Sequence, residues 1–209
     1  MRLSSKTLIA IPCMNQVATG FMTSLLSMKK PNDAIYAITE ATLIHSARNI
    51  LSGVALDGGY DRILWLDSDM RVPPDLFYRL SADLDEGMEY VTALAFTRVM
   101  PTSPIIYSAW EQKRGELNAT KYTNYPRDSV FEIVASGFGA VMMQTQLYVR
   151  ALQNTDASRN PFSPMKNLGE DLAFCWRLRD QAKLFCDSRI KVPHIGYIDY
   201  TEDMYDDED

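Results

Sequence analysis

The stretch Ile63-Leu64-Trp65-Leu66, running straight into Asp67-Ser68-Asp69, constrains this chain more than any other. A short unbroken apolar run bounded by polar residues reads as a strand buried on both faces, the pattern of a parallel sheet covered by helices. The strand should end at Asp67. Open α/β sheets bind ligands just beyond the carboxyl ends of their strands. Two carboxylates at i and i+2 project to one side if the backbone stays extended. Paired hard oxygen ligands suit Mg²⁺ or Mn²⁺, and such ions usually take a substrate diphosphate as well. The structural alternative is an aspartate-rich turn before a helix that starts near Pro73.

The flanking sequence supplies the rest of such a sheet. Residues 7–11 read as a first strand stopped by Pro12, and residues 17–28 as a helix with Val17, Phe21, Leu25 and Met28 at helical spacing. A short strand over 34–38 and a helix over 41–56 follow, the latter closed by Gly58-Gly59 where a left-handed cap is wanted. This β-α-β-α-β order predicts a sheet that is at least partly parallel. Beyond the aspartates come a helix from Pro73 and a fourth strand over 90–96. An irregular aromatic region then reaches Asp128, with short strands near 105–107 and 131–135 and five basic residues from Arg98 to Arg127. An apolar run over 141–143, a helix over 145–152 and a polar, mobile loop over 154–167 come next. A helix over 168–183, a strand over 184–186 and the segment 190–196 close the order. With 209 residues, 46% hydrophobic and 23% charged, the chain has enough material for one core. A single domain is expected over 1–199, with an acidic, mobile tail over 200–209.

The formal charge of −6 removes an overall basic footprint for nucleic acid or anionic membrane, leaving only the local basic region between Arg98 and Arg127. Cys13, Cys175 and Cys186 have no CxxC spacing, which excludes a complete disulfide framework, disfavours a zinc site and fits a reducing cytosol. No segment approaches the roughly 20 apolar residues of a membrane helix. A soluble cytoplasmic protein with no anchor is expected.

Other residues draw attention, each with a structural alternative. Arg48, within Ala47-Arg48-Asn49, is either a solvated helix residue or a guanidinium fork for a phosphate or carboxylate. Gly137 and Gly139 mark a tight turn or a close backbone approach to a ligand. Glu170 and Asp171 open a helix, where its dipole favours acids whatever their function. His194 is one of two histidines. The rings of Tyr107, Trp110, Tyr122 and Tyr125 suit sugars or bases, or local packing.

Taken in order, these motifs resemble the family 2-like glycosyltransferases of the GT-A fold, nucleotide-sugar enzymes with one Rossmann-like, mixed, mostly parallel sheet flanked by helices. The match runs from about Leu8 to Gly196. The resemblance implies that Asp67, Asp69 and His194 hold Mn²⁺ or Mg²⁺. It implies that Ile11, Pro12, Arg48, Asp67, Ser68, Gly137 and Gly139 contact a nucleotide-sugar donor, most simply a UDP-sugar. Asp171, with Glu170 as neighbour or substitute, becomes the candidate base. The acceptor could be a glycan, a protein or, in a phage-type enzyme, a hydroxymethylated DNA base. The alternatives are a non-catalytic nucleotide-sugar or carbohydrate binder and a haloacid-dehalogenase-like phosphatase, which also places two aspartates after a buried strand.

Overall fold

The computed structural model of the chain describes residues 5–205 apart from 41, 114, 197 and 198. In chain order the elements are β1 (Thr7–Pro12), α1 (Thr19–Ser27), β2 (Ile35–Thr39), α2 (Ile44–Asp57), β3 (Arg62–Leu66), α3 (Leu76–Asp85) and β4 (Tyr90–Leu94). Then follow β5 (Ile106–Lys113), β6 (Glu116–Lys121), β7 (Val130–Ile133), β8 (Ala135–Ser136), β9 (Ala140–Gln144), α4 (Gln146–Gln153) and α5 (Glu170–Leu178). The order ends with β10 (Leu184–Lys191), β11 (His194–Ile195), β12 (Asp199–Tyr200) and a 3₁₀ turn, Glu202–Met204.

Seven strands form the central sheet in the order β2-β1-β3-β9-β4-β10-β7. β1, β2 and β3 are mutually parallel, and β4 is parallel to β10. Only β9, between β3 and β4, and β7, at the edge, run against the others. The sheet is thus mixed and mostly parallel, where the alternation alone predicts one that is at least partly parallel.

The apolar run of β3 explains its central place. Alternate side chains serve opposite faces. Ile63 and Trp65 enter a core with Leu51 and Ala55 of α2 and with Phe138, Phe162 and Phe174. Leu64 and Leu66 enter a second core with Phe21 and Leu25 of α1 and Leu76, Phe77 and Leu80 of α3. Each fully buried aliphatic or aromatic chain contributes roughly 1.5–3 kcal/mol, so a strand apolar on both faces is stable only where helices cover both.

Several elements depart from the sequence reading. α3 starts at Leu76 rather than near Pro73; Pro73 and Pro74 instead form a turn in which the Leu76 N–H bonds the Pro73 carbonyl at 3.1 Å. α5 is shorter than expected and β10 much longer. The middle of the aromatic region is more regular than expected: β5 and β6 make a hairpin that turns at Gly115 with φ +79°, a conformation that favours glycine. The loop over 154–167 is anchored rather than solvated. Phe162 is fully buried and stacks on Phe174 with ring centroids 4.3 Å apart, and Arg177 donates to the carbonyls of Pro161 and Ser163. Helix α2 does end on glycine, with Gly59 at φ +61°.

Ala41, expected at the start of the second helix, lies outside the described residues, as do residues 206–209 of the expected tail. The described start of that tail is docked. Glu202 pairs with Arg127 and Lys191 and accepts from the Tyr125 hydroxyl at 2.9 Å. All three cysteines are free, and among the described residues no helix is long and apolar enough to cross a membrane.

Candidate functional site

The chain leaves β3 at Leu66 and turns at once. The Asp67 N–H bonds the Gly139 carbonyl at 3.1 Å, and the Met70 N–H closes back on the Asp67 carbonyl at 3.2 Å. The segment after β10 is sewn to this turn: the Arg71 N–H donates to the Pro193 carbonyl at 2.8 Å, and the Ile195 N–H to the Asp69 carbonyl at 2.7 Å. Those backbone bonds bring His194 beside Asp69. The His194 Nε2 lies 3.3 Å from Asp69 Oδ2.

The tautomer of His194 follows from its other contact. Nδ1 lies 3.0 Å from the Phe96 carbonyl, which can only accept, so Nδ1 carries the hydrogen. In the neutral ring Nε2 then points a lone pair at a carboxylate oxygen. A cation between the two, or a proton on Nε2, relieves that clash. A histidine whose far nitrogen is fixed by a backbone carbonyl is the usual arrangement of a metal ligand. A separation of 3.3 Å also suits neighbouring ligands of one ion, for which bonds of ~2.1 Å at a right angle give about 3 Å. Burial works against ionisation of Asp69, but the neighbouring His194 and then the Arg98 guanidinium hold its carboxyl below the usual range.

Asp67 has a different neighbour. Arg48 of α2 is 2% exposed and donates from Nη2 to Asp67 Oδ1 at 2.9 Å. Its Nε lies 3.5 Å from Glu170 Oε1, and its guanidinium sits 4.9 Å from the ring centre of Phe138 and 5.6 Å from that of Trp65. The resemblance suggested a donor contact for Arg48. In the structure it lies behind the cavity wall and ties the aspartate turn to the start of α5. Its Nη1 is buried without a hydrogen-bond partner. Burial pushes Asp67 above the ordinary range, with Arg48 pulling the other way and Asp69 adding to the rise.

Glu170 and Asp171 open α5. Asp171 Oδ1 accepts from the Leu172 N–H at 2.7 Å. Burial, then the neighbouring Glu170 charge, raises its pKa to about 6. That is the range of a carboxylate able to take a proton near neutrality. The strand β8–β9 connection passes close by. A Cβ on Gly137 would sit 2.6 Å from Ile105 Cγ2 and 3.6 Å from Asp171 Oδ2, so only glycine fits there. Gly139 faces Met70 instead, with a Cβ position 2.8 Å from its Cε.

A cavity of about 280 Å³ opens at this end of the sheet, lined by Pro12, Cys13, Met14, Thr42, Ile44, Ala47, Asp67, Ser68, Asp69, Arg98 and His194. Of the residues singled out in the sequence, Pro12, Asp67, Ser68, Asp69 and His194 line it. Ile11 is in the core at 1% exposure. Arg98 is the main residue missed, since the sequence shows it only as one of several basic positions. Its Nη1 lies 3.0 Å from Asp69 Oδ2. Its place just past the carboxyl end of the parallel strand β4 was the signal that could have found it. Among the described residues no cluster of three or more His, Cys, Asp or Glu is poised to hold a metal. Asp69 and His194 meet, whereas Asp67 is drawn to Arg48. A larger groove of about 810 Å³ lies at the amino ends of β4 and β10, between Glu86–Glu89 and Arg179–Lys183. It is open and two of its lining acids are already paired, Glu89 with Arg150 and Glu132 with Lys183, so the smaller cavity is the better candidate.

No family model matches the chain, and no curated protein sequence does either. Solved structures do. The chain is similar to a protein described as A197 from STIV, with a TM-score of 0.68 and 19% identity over 95% of this chain and 91% of that one. It is also similar to GalNAc-T7, whose structure is described as containing UDP, GalNAc and Mn²⁺, with a TM-score of 0.64 and 11% identity over 91% of this chain and 44% of that one. At these identities the likeness is one of fold. The chain has a Rossmann-like fold of the GT-A kind, a mostly parallel seven-stranded sheet flanked by helices.

Proposed function

We propose that the protein is a metal-dependent glycosyltransferase that moves a sugar from a nucleoside-diphosphate sugar to an acceptor hydroxyl. The observation that carries this reading is the Asp69–His194 pair, with Nδ1 of the histidine committed to Phe96, at the mouth of a cavity beyond the carboxyl end of β3. The GalNAc-T7 likeness supports UDP as the nucleotide and Mn²⁺ as the ion.

In this reading Asp69 and His194, with Asp67 alongside, would hold the ion next to the donor diphosphate. When bound, the ion supplies positive charge against the leaving nucleoside diphosphate. The chain's own residues do the rest. Pro12, Cys13 and Ser68 line the space for the nucleoside. Arg48 locks the aspartate turn to α5, which fixes the distance between the donor site and Asp171. Asp171 takes the proton of the acceptor hydroxyl as that oxygen attacks the anomeric carbon and the bond to the diphosphate breaks. Orientation and fixed charge supply most of the rate. Gly137 lets the β8–β9 connection pack directly against Ile105 beside the Asp171 carboxyl.

The acceptor is a hydroxyl-bearing glycan, protein or modified DNA base. Incubating the protein with UDP-sugars and Mn²⁺ and measuring released UDP tests the activity; release above background that vanishes with EDTA is expected. Absence of release, together with hydrolysis of a generic phosphomonoester, would favour the phosphatase. A gel-shift titration at low salt tests the DNA acceptor, and no complex at micromolar protein rules it out.

A further inference from the structure

Asp69 Oδ2 has two neighbours, His194 Nε2 at 3.3 Å and Arg98 Nη1 at 3.0 Å. The oxygen proposed to share an ion with His194 is therefore also paired with a guanidinium. Arg98 and a divalent ion cannot both sit there: each is cationic, and they need the same lone pairs.

The two arginines of the site differ in freedom. Arg48 is sealed, bonded to two acids and flanked by two aromatic rings. The Arg98 side chain is 49% exposed and touches the site only through Asp69 among the described contacts. The loop that carries it is fixed at its base, where the Thr97 N–H donates to the Ser103 carbonyl at 2.9 Å and the Ser103 N–H to Thr97 Oγ1 at 3.1 Å. Arg98 can thus swing by side-chain rotation while its backbone stays in place beside the cavity it lines.

We infer that Arg98 is a displaceable counter-ion that makes metal and nucleotide binding cooperative. It occupies Asp69 when no nucleotide is present and so weakens binding of a free divalent ion. When the metal and the diphosphate arrive together, the guanidinium moves from Asp69 to the diphosphate oxygens, whose geometry matches its planar fork. The protein then takes the metal–nucleotide pair in preference to either part alone. Asp67, which lines the same cavity, is engaged by Arg48, and among the described residues no cluster of three or more His, Cys, Asp or Glu is poised to hold an ion, which agrees with this. The inference rests on the proposed function and assigns a role to a residue the sequence did not single out.

The test is a titration of Mn²⁺, read from the electron paramagnetic resonance signal of the free ion, on wild type, Arg98→Ala and Arg98→Lys, without nucleotide and with UDP. Without nucleotide, Arg98→Ala should bind Mn²⁺ about three- to tenfold more tightly than wild type, the loss of one half-exposed ion pair plus one repulsive charge. Arg98→Lys, which keeps the charge, should stay near wild type. With UDP, wild type should gain more than about tenfold in Mn²⁺ affinity and Arg98→Ala distinctly less, and UDP should show the reciprocal change. Unchanged or weaker binding of bare Mn²⁺ by Arg98→Ala overturns the inference while leaving the donor site intact. Wild type that gains nothing from UDP overturns the donor reading itself, and the inference with it.

Discussion

Replacing Asp171 by asparagine should stabilise the protein while removing its activity. The folded-state pKa of about 6 stands above the ordinary value of 3.8, because the carboxyl is buried beside Glu170. A group with a raised folded pKa favours the fold fully below its unfolded pKa, and that contribution is lost as pH rises through the folded value. At pH 8 the ionised Asp171 is therefore a burden of about 2 units at ~1.36 kcal/mol each, or about 3 kcal/mol. Solvent reaches part of the carboxyl, so roughly 1–3 kcal/mol is the expected gain from Asp171→Asn. The asparagine oxygen still accepts from the Leu172 N–H, the one backbone bond the carboxylate makes. For a chain of this size the melting temperature should rise by roughly 2–10 °C at pH 8. The gain should shrink as pH falls from 6 toward the unfolded value of 3.8 and disappear below about pH 3. Differential scanning calorimetry across that range, beside the UDP-release assay, gives both readouts. Activity should fall by about 10²–10⁴ if Asp171 is the base. A melting temperature that is lower than wild type at pH 8, or a shift that does not depend on pH, refutes the electrostatic argument.

The same protonation predicts that the rate of UDP release falls tenfold per pH unit below about 6, and a flat acid limb would remove Asp171 from the base role. Arg48→Met should cost about 3–5 kcal/mol in urea unfolding, because Asp67 and Glu170 lose the guanidinium they share. Loss of under 1 kcal/mol would mean the acids reach water. Gly137→Ala places a methyl group 2.6 Å from Ile105 Cγ2 and should cost about 1–3 kcal/mol, measured the same way. Phe162→Ala should cost about 3–5 kcal/mol, since its ring is at 0% exposure within the aromatic cluster; a value near zero would restore the picture of a mobile loop.

The sheet was legible because its strands are apolar on both faces. β1, β3, β4 and β9 contain runs in which every or nearly every side chain is buried, and such runs have few other homes. The site's position followed, since Asp67 and Asp69 leave the carboxyl end of one of them. The β5–β6 hairpin was not legible. Its outer half carries Glu111, Gln112, Lys113 and Asn118 on a partly exposed ribbon, so no period-two apolar pattern survives. The length of β10 was hidden for the opposite reason. Asp187 and Ser188 are buried although polar, because Asp187 pairs with Arg189 and Ser188 bonds Ser129 and Pro126. Phe162 sits among prolines, serines and asparagines that read as solvated, and only its tertiary partners reveal it. The contacts of Arg48 and Arg98 lie in distances between distant segments, which no local pattern encodes.

The central claim is that Asp69 and His194 share one divalent ion. Crystals grown with Mn²⁺ and UDP, measured for anomalous scattering from manganese, test it most directly. The account predicts a single strong peak bonded to Asp69 Oδ2 and His194 Nε2, with diphosphate oxygens on its open side and the Arg98 guanidinium withdrawn from Asp69. No peak there, or a nucleotide bound with Arg98 still seated on Asp69 and no ion, would contradict it.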